Sequence, residues 1–286
     1  MFGWLFPATC PVPPKRQAWL QHGLNWLCEE FGRHRLVCRP IILPTPKFFP
    51  DPYDGSMPAL DVLFERVCGY MSVDRRRVDL HVFEDGGRSR HELLREGRFE
   101  GAAGLYTSNG SRTLIGVERS QLECPPSLVA TMAHELAHVH LLGDHRVSPD
   151  SPDHEPLTDL LTLLMGLGVF TANAVITESN WRGAGESGWS VGRQGYLTGP
   201  EFGFAFALWA RERNELRPTW LRHLRLDVRS ACKQGMRFLQ KCPSIASDGS
   251  RELGASTQDD DEDVPWTRSR PAAGSPPDDD KLPWEK

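Results

Sequence analysis

Paired cysteines are missing from this chain. Its seven cysteines are scattered, odd in number and never spaced Cys-x-x-Cys, which excludes a cysteine-built zinc knuckle and a secreted disulfide framework. A basic surplus is missing too: 33 Lys and Arg stand against 38 Asp and Glu, a net of −5. The imbalance is local. Residues 244–286 hold eleven acids and five bases, a net of −6, while residues 1–243 hold 28 bases and 27 acids, a net of +1. No positive field is left to capture nucleic acid, so a nucleic-acid partner is excluded on charge. An uninterrupted apolar run of membrane length is also lacking. The stretch 157–176 comes nearest, but Thr158, Asp159, Thr162, Thr171 and Asn173 interrupt it, and an Asp inside a span costs several kcal/mol. It reads as a buried helix, with no membrane partner. The N-terminus has no basic region ahead of its apolar residues and soon meets Pro7, Pro11, Pro13 and Pro14, unlike a signal peptide. The expected compartment is the reducing cytoplasm.

What is present is patterned. Residues 15–31 carry Trp19, Leu20, Leu24, Leu27 and Phe31 at helical spacing, with Gly32 as the stop. Residues 40–58 are rich in proline and read as an extended strap that packs Phe48, Phe49 and Tyr53 on a domain surface. A second amphipathic helix covers 59–71, and 78–84 alternates like a strand. Two more short strands, 101–107 and 112–118, flank an Asn109-Gly110 hairpin signal. Helices follow over 127–142, 156–174, 200–214 and 218–240, with loops at 143–154 and 183–199. The expected fold class is α+β, a small, mainly antiparallel sheet ahead of a helical C-terminal part.

The chemistry concentrates in His134-Glu135-Leu136-Ala137-His138. Four residues turn a helix by roughly 400°, so both imidazoles leave one face about 6 Å apart along the axis. Both can reach one zinc ion, and Glu135 beside them can take a proton from water that the ion activates. Pro125-Pro126-Ser127 supplies a stop and an N-cap, and Leu128, Met132, Leu136 and Val139 face the core. Seventeen residues beyond His138 comes Glu155-Pro156-Leu157-Thr158-Asp159, a Glu-x-x-x-Asp at the start of the next helix.

With these two motifs the segment 101–174 resembles the gluzincin class of zinc metallopeptidases. The resemblance implies a zincin-like fold over residues 1–243, zinc as cofactor, and a peptide or protein as substrate. It makes Glu155 the third ligand beside His134 and His138, and Asp159 the acceptor that orients His134. The i, i+4 spacing of Glu155 and Asp159 agrees independently, because metal-bound imidazoles nearly always give their other N–H to a carboxylate or carbonyl. Pro156 departs from the usual pattern by placing Glu155 near the helix start. Asp144, six residues after His138, competes as third ligand, although metzincin-like sites need a Gly where Leu141 stands. His140, His145 and His154 are weaker rivals. For the oxyanion donor the first candidate is Tyr196, in the glycine-rich loop, ahead of Tyr106 and His223. Strand 112–118 is expected to border the cleft with a free edge for an extended substrate.

Residues 244–286 have too few apolar groups to offset chain entropy and read as a disordered acidic tail. Within it Val264-Pro265-Trp266 and Leu282-Pro283-Trp284 each follow an acidic run, a pattern suited to docking a protein partner. The alternative to a peptidase is therefore a binding or scaffold protein that keeps a zincin core and works through its tail.

Overall fold

The computed structural model describes residues 9–83, 104–109, 112–174 and 197–241, and for 104–109 the backbone alone. All of them belong to one compact unit. Tyr196, the turn residues Gly110 and Ser111, most of the 183–199 loop and the tail lie outside the described residues.

The class is α+β. Helix α1 (Pro14–Phe31) starts on a proline at its first turn and stops where Gly32 takes φ 90°. A short helix α2 (Arg33–Cys38) follows, which hydrophobic spacing does not announce. The proline-rich strap then crosses to α3 (Met57–Met71), whose first turn is capped by Ser56. Phe49 packs edge-on against Tyr70 and Phe170, at 5.8 and 5.4 Å between ring centres, so the strap does sit on the domain surface through its aromatics.

Strands β1 (Val78–Phe83), β2 (Gly104–Asn109) and β3 (Arg112–Glu118) form one sheet in the order β1-β3-β2. Strand β2 pairs antiparallel with β3, with Asn109 opposite Arg112. Strand β1 pairs parallel with β3, with Val78 opposite Thr113. The sheet is thus mixed, and the expectation of a mainly antiparallel sheet is corrected. An Asn-Gly signal fixes the direction of one neighbour only; the alternation of Val78, Leu80 and Val82 shows a strand but not the direction of its partner. A second correction concerns β3, which is paired on both sides and has no free edge. Among the described strands β1 and β2 are the edges.

From β3 the chain enters α4 (Pro125–His138), with its prolines inside the first turn and no side-chain cap, so Ser127 is not the N-cap. Helix α4 is buried nearly all round, with Leu128, Met132 and Leu136 at 0% exposure, and packs on α3 and the sheet. It ends in a π-turn, Val139–Gly143. Next come α5 (His154–Leu164) and α6 (Gly168–Ala174). These replace the single helix expected over 156–174. The break is Gly166, at φ 92° and so close to Pro40 that an added Cβ would lie 2.6 Å from its carbonyl oxygen. Ile42 N–H donates to Gly166 O at 2.9 Å, stitching the strap to the break. The polar interruptions of this apolar stretch are all engaged: Thr162 bonds Thr171 and Asp159 O, and Asn173 bonds His223 O and Arg225 N–H. Among the described residues no helix is long and apolar enough to cross a membrane.

Helices α7 (Gly199–Glu212) and α8 (Leu226–Lys241) close the fold. They meet at Gly203, where a Cβ would stand 2.5 Å from Ala231 Cβ and 2.8 Å from Cys232 N. Much of that obstruction is backbone, which cannot swing aside. Gly203→Ala should therefore cost about 1–3 kcal/mol, measurable as a lower melting temperature, by roughly 2–4 °C for each kcal/mol. An unchanged melting temperature would show that α7 and α8 can separate without cost.

Candidate metal centre

The i, i+4 spacing on α4 sets the rings of His134 and His138 on one face, 4.9 Å apart between centres and nearly perpendicular. The opening turn of α5 brings Glu155 against them. Glu155 Oε2 lies 3.1 Å from His134 Nε2 and 3.4 Å from His138 Nε2. One ligand atom from each of the three residues falls within 4.8 Å of the others. Four ligand atoms about 2.0–2.1 Å from a zinc ion stand roughly 3.3 Å from one another. The two observed separations are of that size.

What lies behind each ring decides its hydrogen positions. Asp159, 1% exposed, faces His134 Nδ1 at 3.0 Å through Oδ1. A carboxylate can only accept, so an N–H is on Nδ1, and Nε2 faces Glu155, where a cation would take the place of its proton. On the other ring, Thr158 Oγ1 donates its single hydrogen to His154 O at 2.8 Å and then accepts from His138 Nδ1 at 3.3 Å. His138 presents a lone pair at Nε2. Two imidazole Nε2 atoms and a carboxylate oxygen thus converge in a largely buried place, an arrangement that suits a cation among them. The donor set is nitrogen and oxygen in the proportion that zinc sites use.

The charges respond accordingly. Burial would raise the Glu155 carboxyl, but His134, His138 and His154 hold it far below the usual carboxylate range. Burial would lower His134, but Asp159 and Glu155 raise it well above its ordinary value. His138 is lowered, chiefly by burial. Glu135, 3% exposed, is pushed up to about 7 by burial, with His134 opposing and Glu155 adding to the shift. Its Oε2 is buried without a hydrogen-bond partner. A buried, unpaired carboxylate oxygen next to a cation-seeking cluster is a group held ready for a proton.

The rivals Asp144, His140 and His145 are placed elsewhere, while His154 stands beside the cluster, its Nε2 3.4 Å from Glu155 Oε1. Asp144 pairs with Arg77 at 2.7 Å and faces His140 Nδ1 at 3.7 Å. Burial would raise its carboxyl, but these partners hold it at about 2. His140 Nε2 donates to Met71 O at 2.8 Å, and His145 is exposed, with φ 55°. His223 sits in the 3-10 turn Thr219–His223 with its ring against Arg222. The side chains of Tyr106 and Tyr196 lie outside the described residues, but Leu197, next to Tyr196, donates its backbone N–H to Asp159 Oδ2 at 2.9 Å.

Thr158 was not singled out by sequence reasoning as a partner for His138. Its signal is a hydroxyl one turn into α5, one residue before Asp159 and three after Glu155. No family model, curated protein or solved structure matches this chain.

Proposed function

We propose that the chain is a zinc-dependent hydrolase with a zincin-like core, cutting peptide bonds at the His134, His138 and Glu155 cluster. The observation that carries this reading is the convergence of two imidazole Nε2 atoms and one carboxylate oxygen near the buried Glu135, whose Oε2 has no hydrogen-bond partner. A bound zinc ion would supply a Lewis acid that makes water nucleophilic near neutral pH. Glu135 takes a proton from the attacking water on Oε2 and returns it to the departing amine, a role suited to a carboxylate with an affinity for protons near 7. Asp159 and Thr158 keep both imidazoles in the tautomer that offers Nε2. Among the described strands β2 is an edge that packs on α4, and an extended peptide would add along its outer side. Tyr196 remains the candidate oxyanion donor, because its neighbour Leu197 is tied to Asp159. A scaffold has no need of a buried carboxylate at position 135.

The test uses the full chain, purified without added metal. Close to one zinc per chain should copurify, and a diverse peptide library should be cleaved in a chelator-sensitive manner. A chain that stays free of zinc even after dialysis against it would sink the proposal.

A further inference from the structure

We infer that Arg35, Arg39 and Ser72 form an oxyanion site, which takes a phosphate group between two guanidiniums at the end of α2. The site is independent of the metal reading.

The two arginines stand one turn apart, in the last turn and at the C-cap of α2, and so share a face. Arg39 is 9% exposed and Arg35 is half-buried. Like charges at this spacing repel, and more strongly away from water. Burial, with Arg35 adding to it, pushes the Arg39 guanidinium down to about 10, and burial lowers Arg35 as well. Among the described residues neither guanidinium has a carboxylate partner.

The acceptors they do meet are few. Each guanidinium carries five N–H donors and no acceptor. Arg35 Nε donates to Phe31 O at 2.8 Å, and Arg39 Nη2 donates to Tyr70 O. Both groups then crowd on Ser72 Oγ, which lies 3.1 Å from Arg35 Nη1 and 3.3 Å from Arg39 Nη1 and Nη2. Beyond it stands the Met165 thioether, 3.4 Å from Arg39 Nη1, a weak acceptor. The Phe31 and Tyr70 carbonyls carry the partial charge of helix ends, which is not a counter-ion. Two fixed positive forks that converge without an acid are the donor set that recognises phosphate. Ser72 supplies the opening. It is exposed, and it caps α3 at φ 57°, a left-handed conformation that favours glycine. A serine there sets a hydroxyl against both guanidiniums, and no described residue accepts its hydrogen. A phosphate dianion would match the two positive charges, accept from both forks and take that O–H. The place is apart from the metal cluster, since Met165 follows Glu155 by ten residues at the far end of α5, roughly 15 Å along the axis.

Inorganic phosphate is titrated into the full chain by calorimetry at constant ionic strength, with sodium chloride as the blank. One phosphate per chain should bind, and phosphate should raise the melting temperature where chloride does not. Arg35→Gln, at the half-buried position, should weaken phosphate at least about tenfold and remove that melting shift. A merely structural arginine would change the melting temperature with and without phosphate alike. Arg35→Lys keeps the charge but not the fork and should fall between the two. O-phosphoserine is the second ligand: affinity equal to that of phosphate assigns the site to a phosphate ester, and refusal assigns it to the free anion. His138→Ala, at the metal cluster, should leave phosphate affinity unchanged. Loss of phosphate in His138→Ala with retention in Arg35→Gln overturns the inference. So does a wild-type chain that binds no phosphate at millimolar concentration.

Discussion

Glu135→Gln should leave metal content and melting temperature nearly intact while hydrolysis falls by at least about 10²–10⁴-fold, the range for loss of a general base. The substitution keeps the shape of a side chain that is 3% exposed. It also replaces a carboxyl that burial already pushes up to about 7 with a neutral amide. Nothing is lost in solvation, because a neutral group is easier to bury than a charged one. What is lost is the ability to accept a proton at Oε2, the oxygen with no partner. Metal analysis, thermal melting and peptide cleavage on the same preparation check this. Cleavage that persists unchanged in Glu135→Gln would sink the mechanism, whatever the metal content.

Glu155→Ala should lose nearly all its zinc, and Asp144→Ala should keep it. Removing Glu155 takes away one of three donor atoms and the negative charge between two imidazoles. Removing Asp144 touches a different part of the molecule, the contact of the π-turn with Arg77 and His140. Its signature is acid stability. Asp144 is held at about 2, below its ordinary 3.8, so its contribution is complete above that ordinary value and disappears as pH falls toward 2. The stability gap between wild type and Asp144→Ala should therefore narrow across that window. Zinc retained by Glu155→Ala and lost by Asp144→Ala would move the third ligand to Asp144 and remove the gluzincin reading.

How much of this was legible in the sequence depends on how local each feature is. The shared face of His134 and His138 follows from helix geometry alone, and so does the pairing of Glu155 with Asp159 one turn apart. The apolar residues of α1, α3 and α4 announce their helices by spacing. The parallel partner of β1 was not legible, because direction is set by chain far from the strand. Nor was the break at Gly166, where a lone glycine in an apolar run reads as tolerable until the Pro40 carbonyl is seen against it. In the sequence Thr158 is only a polar interruption of an apolar stretch. Its function needs His138 and His154 on either side of it, and no one-dimensional pattern places them there. Only the company of its glycines points to Tyr196, and the described contact next to it is that of Leu197 with Asp159.

The long-range covering of α5 has a consequence for the order in which the chain is made. Helix α1 packs on α5 and α7. Arg16 pairs with Glu201 and Trp209 Nε1 donates to Leu36 O at 2.7 Å, partners separated by 185 and 173 residues. The cluster itself spans His134 to Asp159, a short loop that costs little entropy to close. A ribosome that has made the whole cluster has therefore not yet made the helix that covers its neighbour, nor the Leu197 N–H that occupies Asp159 Oδ2. Until α7 emerges, the buried face of α1 with Leu20, Leu24 and Leu27 lacks one of the helices it packs on, and it is open to wrong association. The donor set closes over a short stretch of chain and the contact of Leu197 with Asp159 over a longer one. A chain stalled between the two would hold the ligands without the shelter.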